Sequence, residues 1–185
     1  MKFFDPPSHY QYLESHLLPI LLQKQTINIW SAACSTGVEA YSLSLQLDQH
    51  PHVNIIGSDR SRSKLEHAIK GVYSQEDIEG VPDAILQTSF RKGVGDLTGQ
   101  YRVHDFLRKS VQFYTHDLKN PFMVPLKFDV IFCQNVLNAS SEADKEMIEN
   151  NLSRVLVKGG FLFIGLPEQL FHFKSNEMAP SVYQF

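Results

Sequence analysis

Between Ser8 and Gln23, Tyr12, Leu13, His16, Leu17, Ile20 and Leu21 recur at the three- and four-residue spacing of one helix face, and Pro6-Pro7 stands just ahead. The spacing predicts an amphipathic helix, residues 1–25 forming a segment laid on a larger body. The period then changes. Residues 27–33 make a nearly continuous apolar run of the buried-strand type, a turn of small residues follows, and a helix is predicted from Val38 to about Gln49. Residues 53–58 repeat the strand signature and end on Asp59. A second helix is predicted over 61–70, because Ser61 suits its N-cap and Gly71 can take the left-handed conformation that stops it. This β-α-β-α rhythm predicts an α/β fold with a parallel sheet.

The rhythm breaks between Gly80 and Ser110, where Gly93, Gly95 and Gly99 interrupt the chain and Gln100-Tyr101-Arg102-Val103 alternates weakly. A small inserted β-lobe over 85–110, within a main domain of 26–185, accounts for this break. Strands are predicted again at 111–115 and 128–133, then a helix from about Glu142 to Leu156. Gly159-Gly160 leads into a further apolar strand at 161–165, and 181–185 reads as a last edge strand.

Composition narrows the class. A chain of 185 residues can bury about 70% of its unfolded surface without disulfides or metal. No apolar run approaches the ~20 residues of a membrane span, and the start of the chain lacks the apolar core of an export signal, so a cytoplasmic protein without membrane insertion is expected. Cys34 and Cys133 stand apart with no metal-ligand spacing, which predicts reduced, buried thiols and no metal site. A net charge of −3 gives no footprint for nucleic acid, and Arg60, Arg62 and Lys64 read as a solvated helix face.

The candidate chemistry gathers where strands end. In Ser31-Ala32-Ala33-Cys34-Ser35-Thr36-Gly37, small residues between a strand and a helix let backbone N–H groups approach a ligand. Only Gly37 is present of the three spaced glycines that a dinucleotide pyrophosphate needs, which disfavours NAD and FAD and leaves room for a ligand without phosphate, such as S-adenosylmethionine. Asp59, 22 positions after Gly37, stands where ribose hydroxyls are held in nucleoside-binding sheets, the alternative being a simple cap for the following helix. Asp117 beyond the third core strand is placed to take an adenine amine, or is a loop aspartate. Asn135 after the fourth strand faces the ligand edge, or caps the next turn.

Taken in order, Trp30-Ser31-Ala32-Ala33-Cys34-Ser35-Thr36-Gly37, Glu39, Tyr41-Ser42, Ser58-Asp59 and Phe128-Asp129-Val130-Ile131-Phe132-Cys133-Gln134-Asn135-Val136 resemble the chemotaxis-receptor glutamate methyltransferases of the CheR type. The similarity runs from about Phe3 to Phe185, and it extends to Lys92-Gly93-Val94-Gly95 and Arg102-Val103, which look like that family's inserted β-subdomain. The resemblance implies a Rossmann-like class I S-adenosylmethionine-dependent methyltransferase fold with a small inserted β-subdomain. It implies transfer of a methyl group to a protein glutamate, leaving S-adenosylhomocysteine, with a chemoreceptor as the partner. On that basis Ala33, Ser35, Gly37 and Glu39 border the methionine and ribose, Asp59 holds the ribose, Asp117 and Leu118 face the adenine, and Asn135 and Val136 complete the pocket. Read without the family, Glu39 is a first-turn carboxylate that suits the helix dipole.

Three positions depart from the family pattern and leave the catalytic residues unassigned. Asp5, in Phe3-Phe4-Asp5, stands where the family has an arginine near the cofactor, and two like charges ~4 Å apart repel by about 4 kcal/mol at an effective dielectric near 20. Gln134 replaces another arginine, and Ala139 a tyrosine near the transferring methyl. The family's preceding helical domain has no counterpart in these residues, and sequence upstream of Met1 decides whether one exists. Two readings stand: a methyltransferase acting on a protein carboxylate, and a catalytically impaired regulatory binder of S-adenosylmethionine or S-adenosylhomocysteine. A nucleic-acid methyltransferase is rejected, because Asp5-Pro6-Pro7 lies before the first strand instead of after the fourth.

Overall fold

The computed structural model describes residues 2–171 and 175–185. Its main sheet has seven strands: β1 (Ile27–Ala32), β2 (Val53–Asp59), β6 (Val111–Thr115), β7 (Phe128–Cys133), β8 (Leu156–Ile164), β9 (Asn176–Ala179) and β10 (Val182–Gln184). They run in the order β6-β2-β1-β7-β8-β10-β9. The first five are mutually parallel, and β10 returns antiparallel to both β8 and β9.

Continuous apolar strands are what a sheet covered on both faces requires. Ile27, Ile29, Val130, Phe132 and Phe163 enter one core, while Trp30, Ala32, Ile131, Cys133 and Leu162 enter the other. Helix α3 (Val38–Gln46) packs on the first side and α7 (Glu142–Val155) on the second, through Ile148, Leu152 and Val155. Ser61 caps α4 (Arg62–Lys70) by accepting from the Lys64 amide at 3.4 Å, and Gly71 ends it at φ 62°.

The N-terminal helix is not continuous. It is built of α1 (Pro7–Tyr12), a π-turn over Leu13–Leu17 and α2 (Leu18–Leu21). The Leu18 amide reaches back to the Leu13 carbonyl, which absorbs the missing N–H of Pro19 and rotates the buried face by one residue. Leu18 is therefore buried and Ile20 exposed, the reverse of the simple helical spacing. The last strand is also displaced: β10 lies inside the sheet, because β9 covers it and takes the edge.

Between α4 and β6 the chain builds a second, three-stranded antiparallel sheet from β3 (Val72–Ser74), β4 (Phe90–Lys92) and β5 (Gln100–Val103), in the order β3-β5-β4. Its strand β3 comes from upstream of residue 85. A short helix, α5 (Asp83–Ser89), lies between β3 and β4, and another, α6 (Asp105–Ser110), leads from β5 to β6 of the main sheet. Among the described residues no helix is long and apolar enough to cross a membrane.

Gly37 and Gly80 both hold left-handed backbones, at φ 85° and 89°, but a Cβ on Gly37 would lie 2.7 Å from Ala68 Cβ whereas one on Gly80 meets nothing within 4 Å. Gly37→Ala is expected to cost about 2 kcal/mol or more, the sum of backbone strain and overpacking, and Gly80→Ala about 1 kcal/mol from strain alone. Denaturant midpoints of the two variants measure the difference, and equal losses would mean that the Gly37–Ala68 approach is not tight.

Candidate functional site

The sheet order reverses at β1, which has β2 on one side and β7 on the other, so chains leaving β1 and β7 diverge and open a crevice at their carboxyl ends. A cavity of about 360 Å³ occupies that crevice.

The turn after β1 forms its first wall. The Cys34 amide bonds to the Ser58 carbonyl at 2.7 Å and the Gly37 amide to the Cys34 carbonyl at 2.9 Å, while Tyr73 Oη donates to the Thr36 carbonyl at 2.7 Å. Ala33 and Ser35 line the cavity with left-handed backbones at φ 58° and 52°, and Asn135 does the same across it at φ 59°. Five described non-glycine residues adopt this conformation and three of them are here, each costing about 1 kcal/mol, so backbone strain is concentrated on the cavity rim.

Asp59 ties the walls together. Its Oδ2 accepts from the Ser35 amide at 2.9 Å and its Oδ1 from the Ser61 amide at 2.8 Å. A carboxylate offers roughly four acceptor sites, which leaves one on each oxygen for a ligand.

Asp117 and Leu118 line the far end of the cavity. Asp117 Oδ1 accepts from the Lys119 amide at 3.0 Å, and Asn151 on α7 holds the Leu118 carbonyl at 2.9 Å. His116 also lines this end, stacked on Phe122 at 4.5 Å between centroids, with Trp30 stacked on the same ring at 4.5 Å. Burial lowers the His116 pKa against the pull of Asp117, so the ring is neutral near pH 7, and its Nε2 has no partner among the described residues.

Gln134, Asn135, Val136 and Ala139 form the opposite wall. Glu39 and Gly37 do not open onto the cavity. The Glu39 carboxylate is sealed behind it, with Oε1 accepting from Ser31 Oγ at 2.6 Å and Oε2 from Gln134 Nε2 at 2.6 Å. Burial pushes its pKa up to about 7 against both hydrogen bonds, since each of these donors is neutral. Asp5 is elsewhere: it lines a separate, larger hollow with Phe3, Phe4, Tyr10 and Ile85, so its charge does not face this cavity.

The spacing of the sequence missed His116, Asn151 and the cavity role of Arg60 and Lys64: Lys64 stands at the rim on the solvated face of α4, and Arg60 precedes that helix instead of belonging to its face. His116 was findable as the neighbour of Asp117. Asn151 acts across 33 residues and leaves no local signal. Among the described residues no group of three or more His, Cys, Asp or Glu side chains could hold a metal.

A parallel sheet in this order, with the single reversed strand β10 between β8 and β9 and with an acid ending β2 beside the first turn, defines the Rossmann-like class I S-adenosylmethionine-dependent methyltransferase fold. A solved glycopeptide N-methyltransferase complexed with S-adenosylmethionine shares it, with a TM-score of 0.55 at 14% identity over 89% of this chain and 56% of that one. The sequence matches the family described as CheR methyltransferase, SAM binding domain, over residues 1–183, and the chain belongs to that family. It is 32% identical to a chemotaxis protein methyltransferase of Listeria monocytogenes over 91% of this chain and 64% of the relative. It is 31% identical to one of Borreliella burgdorferi over 98% of this chain and 69% of the relative. The chain thus spans about two thirds of the length of these relatives.

The buried Glu39 sets a pH signature. Its folded pKa of about 7 lies above the ordinary 4.5, so the folded state binds the proton more tightly and stability falls as pH rises from about 4.5 to about 7. Denaturant midpoints across this range should show that fall in the wild type and a flatter profile in Glu39→Gln. Parallel profiles would place Glu39 in contact with water.

Proposed function

We propose that this chain is an S-adenosylmethionine-dependent methyltransferase that transfers a methyl group to a protein carboxylate, with a chemoreceptor glutamate as the substrate. The observation that carries the reading is one cavity bordered by the β1 turn, the Asp59 carboxylate and the Gln134–Val136 segment at the reversal point of the sheet.

A volume of about 360 Å³ falls within the range of small-molecule sites, about 300–1,000 Å³. The donors and acceptors suit an adenosyl sulfonium. The free acceptor sites of Asp59 take the ribose hydroxyls, Asp117 takes the exocyclic amine of adenine, and Leu118 and the His116–Phe122 stack supply an apolar surface for the base. Ala33 and Ser35 present backbone to the methionine, Gly37 lets their turn close, and Asn135 and Val136 complete the enclosure. Glu39, when ionised, supplies negative charge behind Gln134, toward the cationic part of the ligand. In this reading residues 26–185 are the binding domain, 1–25 a helical segment laid on it, and 85–110 with β3 an inserted β-subdomain.

The bound cofactor supplies an electrophilic methyl on a positively charged sulfur. The protein then has little acid–base work, since the acceptor carboxylate is already ionised. What these residues contribute is alignment and exclusion of water. Gln134 and Ala139 on the acceptor wall carry neither charge nor ring, so they neither attract nor repel an incoming carboxylate strongly, and Asp5 lines the other hollow instead of this wall.

Incubation with methyl-labelled S-adenosylmethionine and receptor cytoplasmic domains tests the proposal. Base-labile label on the receptor is expected, since methyl esters hydrolyse in alkali. Cofactor binding without any base-labile label would instead identify a non-catalytic binder. Asp59→Ala should lower cofactor affinity about tenfold to a hundredfold, the value of hydrogen bonds to a charged group, as titration calorimetry would read it. Unchanged affinity would remove Asp59 from the ribose.

A further inference from the structure

Glu168 stands in the turn that follows β8 and is only 2% exposed. Its carboxylate accepts three backbone N–H groups: Oε2 takes those of Asn135 at 2.9 Å and Gly165 at 2.7 Å, and Oε1 takes that of Asn138 at 2.9 Å. Two of the three belong to the loop that leaves β7, the loop whose Asn135, Val136 and Ala139 wall the cavity.

The local chain is shaped for this contact. The Glu168 amide closes a tight turn onto the Gly165 carbonyl at 2.6 Å. A Cβ on Gly165 would lie 2.7 Å from Glu168 Oε2 and 2.7 Å from the Asn135 amide, so only glycine lets the carboxylate slide beneath the loop. Asn135 is left-handed at φ 59°, a conformation that asparagine tolerates better than most residues with a side chain, and its amide is one of those that Glu168 holds.

We propose that Glu168 is a positioning residue for methyl transfer: its carboxylate latches the backbone of Asn135 and Asn138 to the end of β8 and so fixes the wall against which the cofactor and the methyl acceptor meet. This rests on the methyltransferase reading above, but the latch itself is a property of the free protein. Glu168 touches neither reactant. A carboxylate suits the task because it offers acceptors only, whereas the amide of a glutamine has a single acceptor oxygen and must turn an NH₂ toward at least one of the three backbone donors.

The test combines hydrogen exchange with calorimetry. In the wild type, the amides of Asn135, Asn138 and Gly165 should exchange at least about a hundredfold more slowly than in an unfolded chain. In Glu168→Gln, exchange at Asn138 or Asn135 should quicken at least about tenfold, while amides of β1 keep their protection, and affinity for S-adenosylhomocysteine should fall about tenfold to a hundredfold at a temperature where both proteins are fully folded. A variant with unchanged loop exchange and unchanged affinity overturns the proposal, and so does a loss of protection spread evenly over β1 and the loop, which would mark a merely structural role. Should Glu168→Gln not fold, rapid exchange of the three amides in the wild type overturns the latch without any substitution. A wild type that protects these amides yet binds no S-adenosylhomocysteine refutes the methyltransferase reading and leaves the latch standing.

Discussion

The placement of β1 governs everything else in this molecule. With β2 on one side and β7 on the other, all three parallel, their carboxyl ends come together and the chains that leave them turn apart. The crevice between the diverging chains is where ligands of open α/β sheets bind. The apolar content of β1 and β7 is therefore a functional requirement as well as a structural one. Both strands must be covered on two faces before their ends can form a rigid rim.

The rim is held by acids. Asp59 binds the amides of Ser35 and Ser61, Glu168 binds those of Asn135, Asn138 and Gly165, and Glu39 is pinned between Ser31 and Gln134. Carboxylates are the right choice for this because one anion can satisfy several donors, and hydrogen bonds to charged groups are about twice as strong as neutral ones. Strain is accepted in return, with Ala33, Ser35 and Asn135 all in the left-handed region. The contrast with Asp5 is instructive: an acid that matched a cofactor-facing position by order in the sequence lies in another hollow, so proximity along a motif did not make proximity in space.

The parts of the fold that follow from local pattern were legible. Residues 111–115 and 128–133 are strands with the predicted bounds, and Ser61 and Gly71 delimit α4 because capping is chemistry within one turn. Helix α3 ends at Gln46 instead of about Gln49, a boundary that no strong cap marks. Long-range effects were not legible. The π-turn arises from Pro19 and shifts the buried face, β3 pairs with a strand some 30 residues away, and the edge strand β9 carries half-exposed residues without the alternation that announces a strand. At the site, the turn of small residues and Asp59 could be read from their spacing after β1 and β2. Glu168 and Asn151 could not, since each acts on a loop 30 or more residues earlier.

The central claim is that the crevice at the β1 reversal holds an adenosyl group. A crystal structure of the chain grown with S-adenosylhomocysteine tests this most directly. The account predicts the ribose on Asp59, the base beside Leu118 and His116, and the methionine along Ala33 and Ser35. Density for the ligand in the hollow beside Asp5, or none at the β1 rim in crystals whose rim is open to solvent, would contradict it.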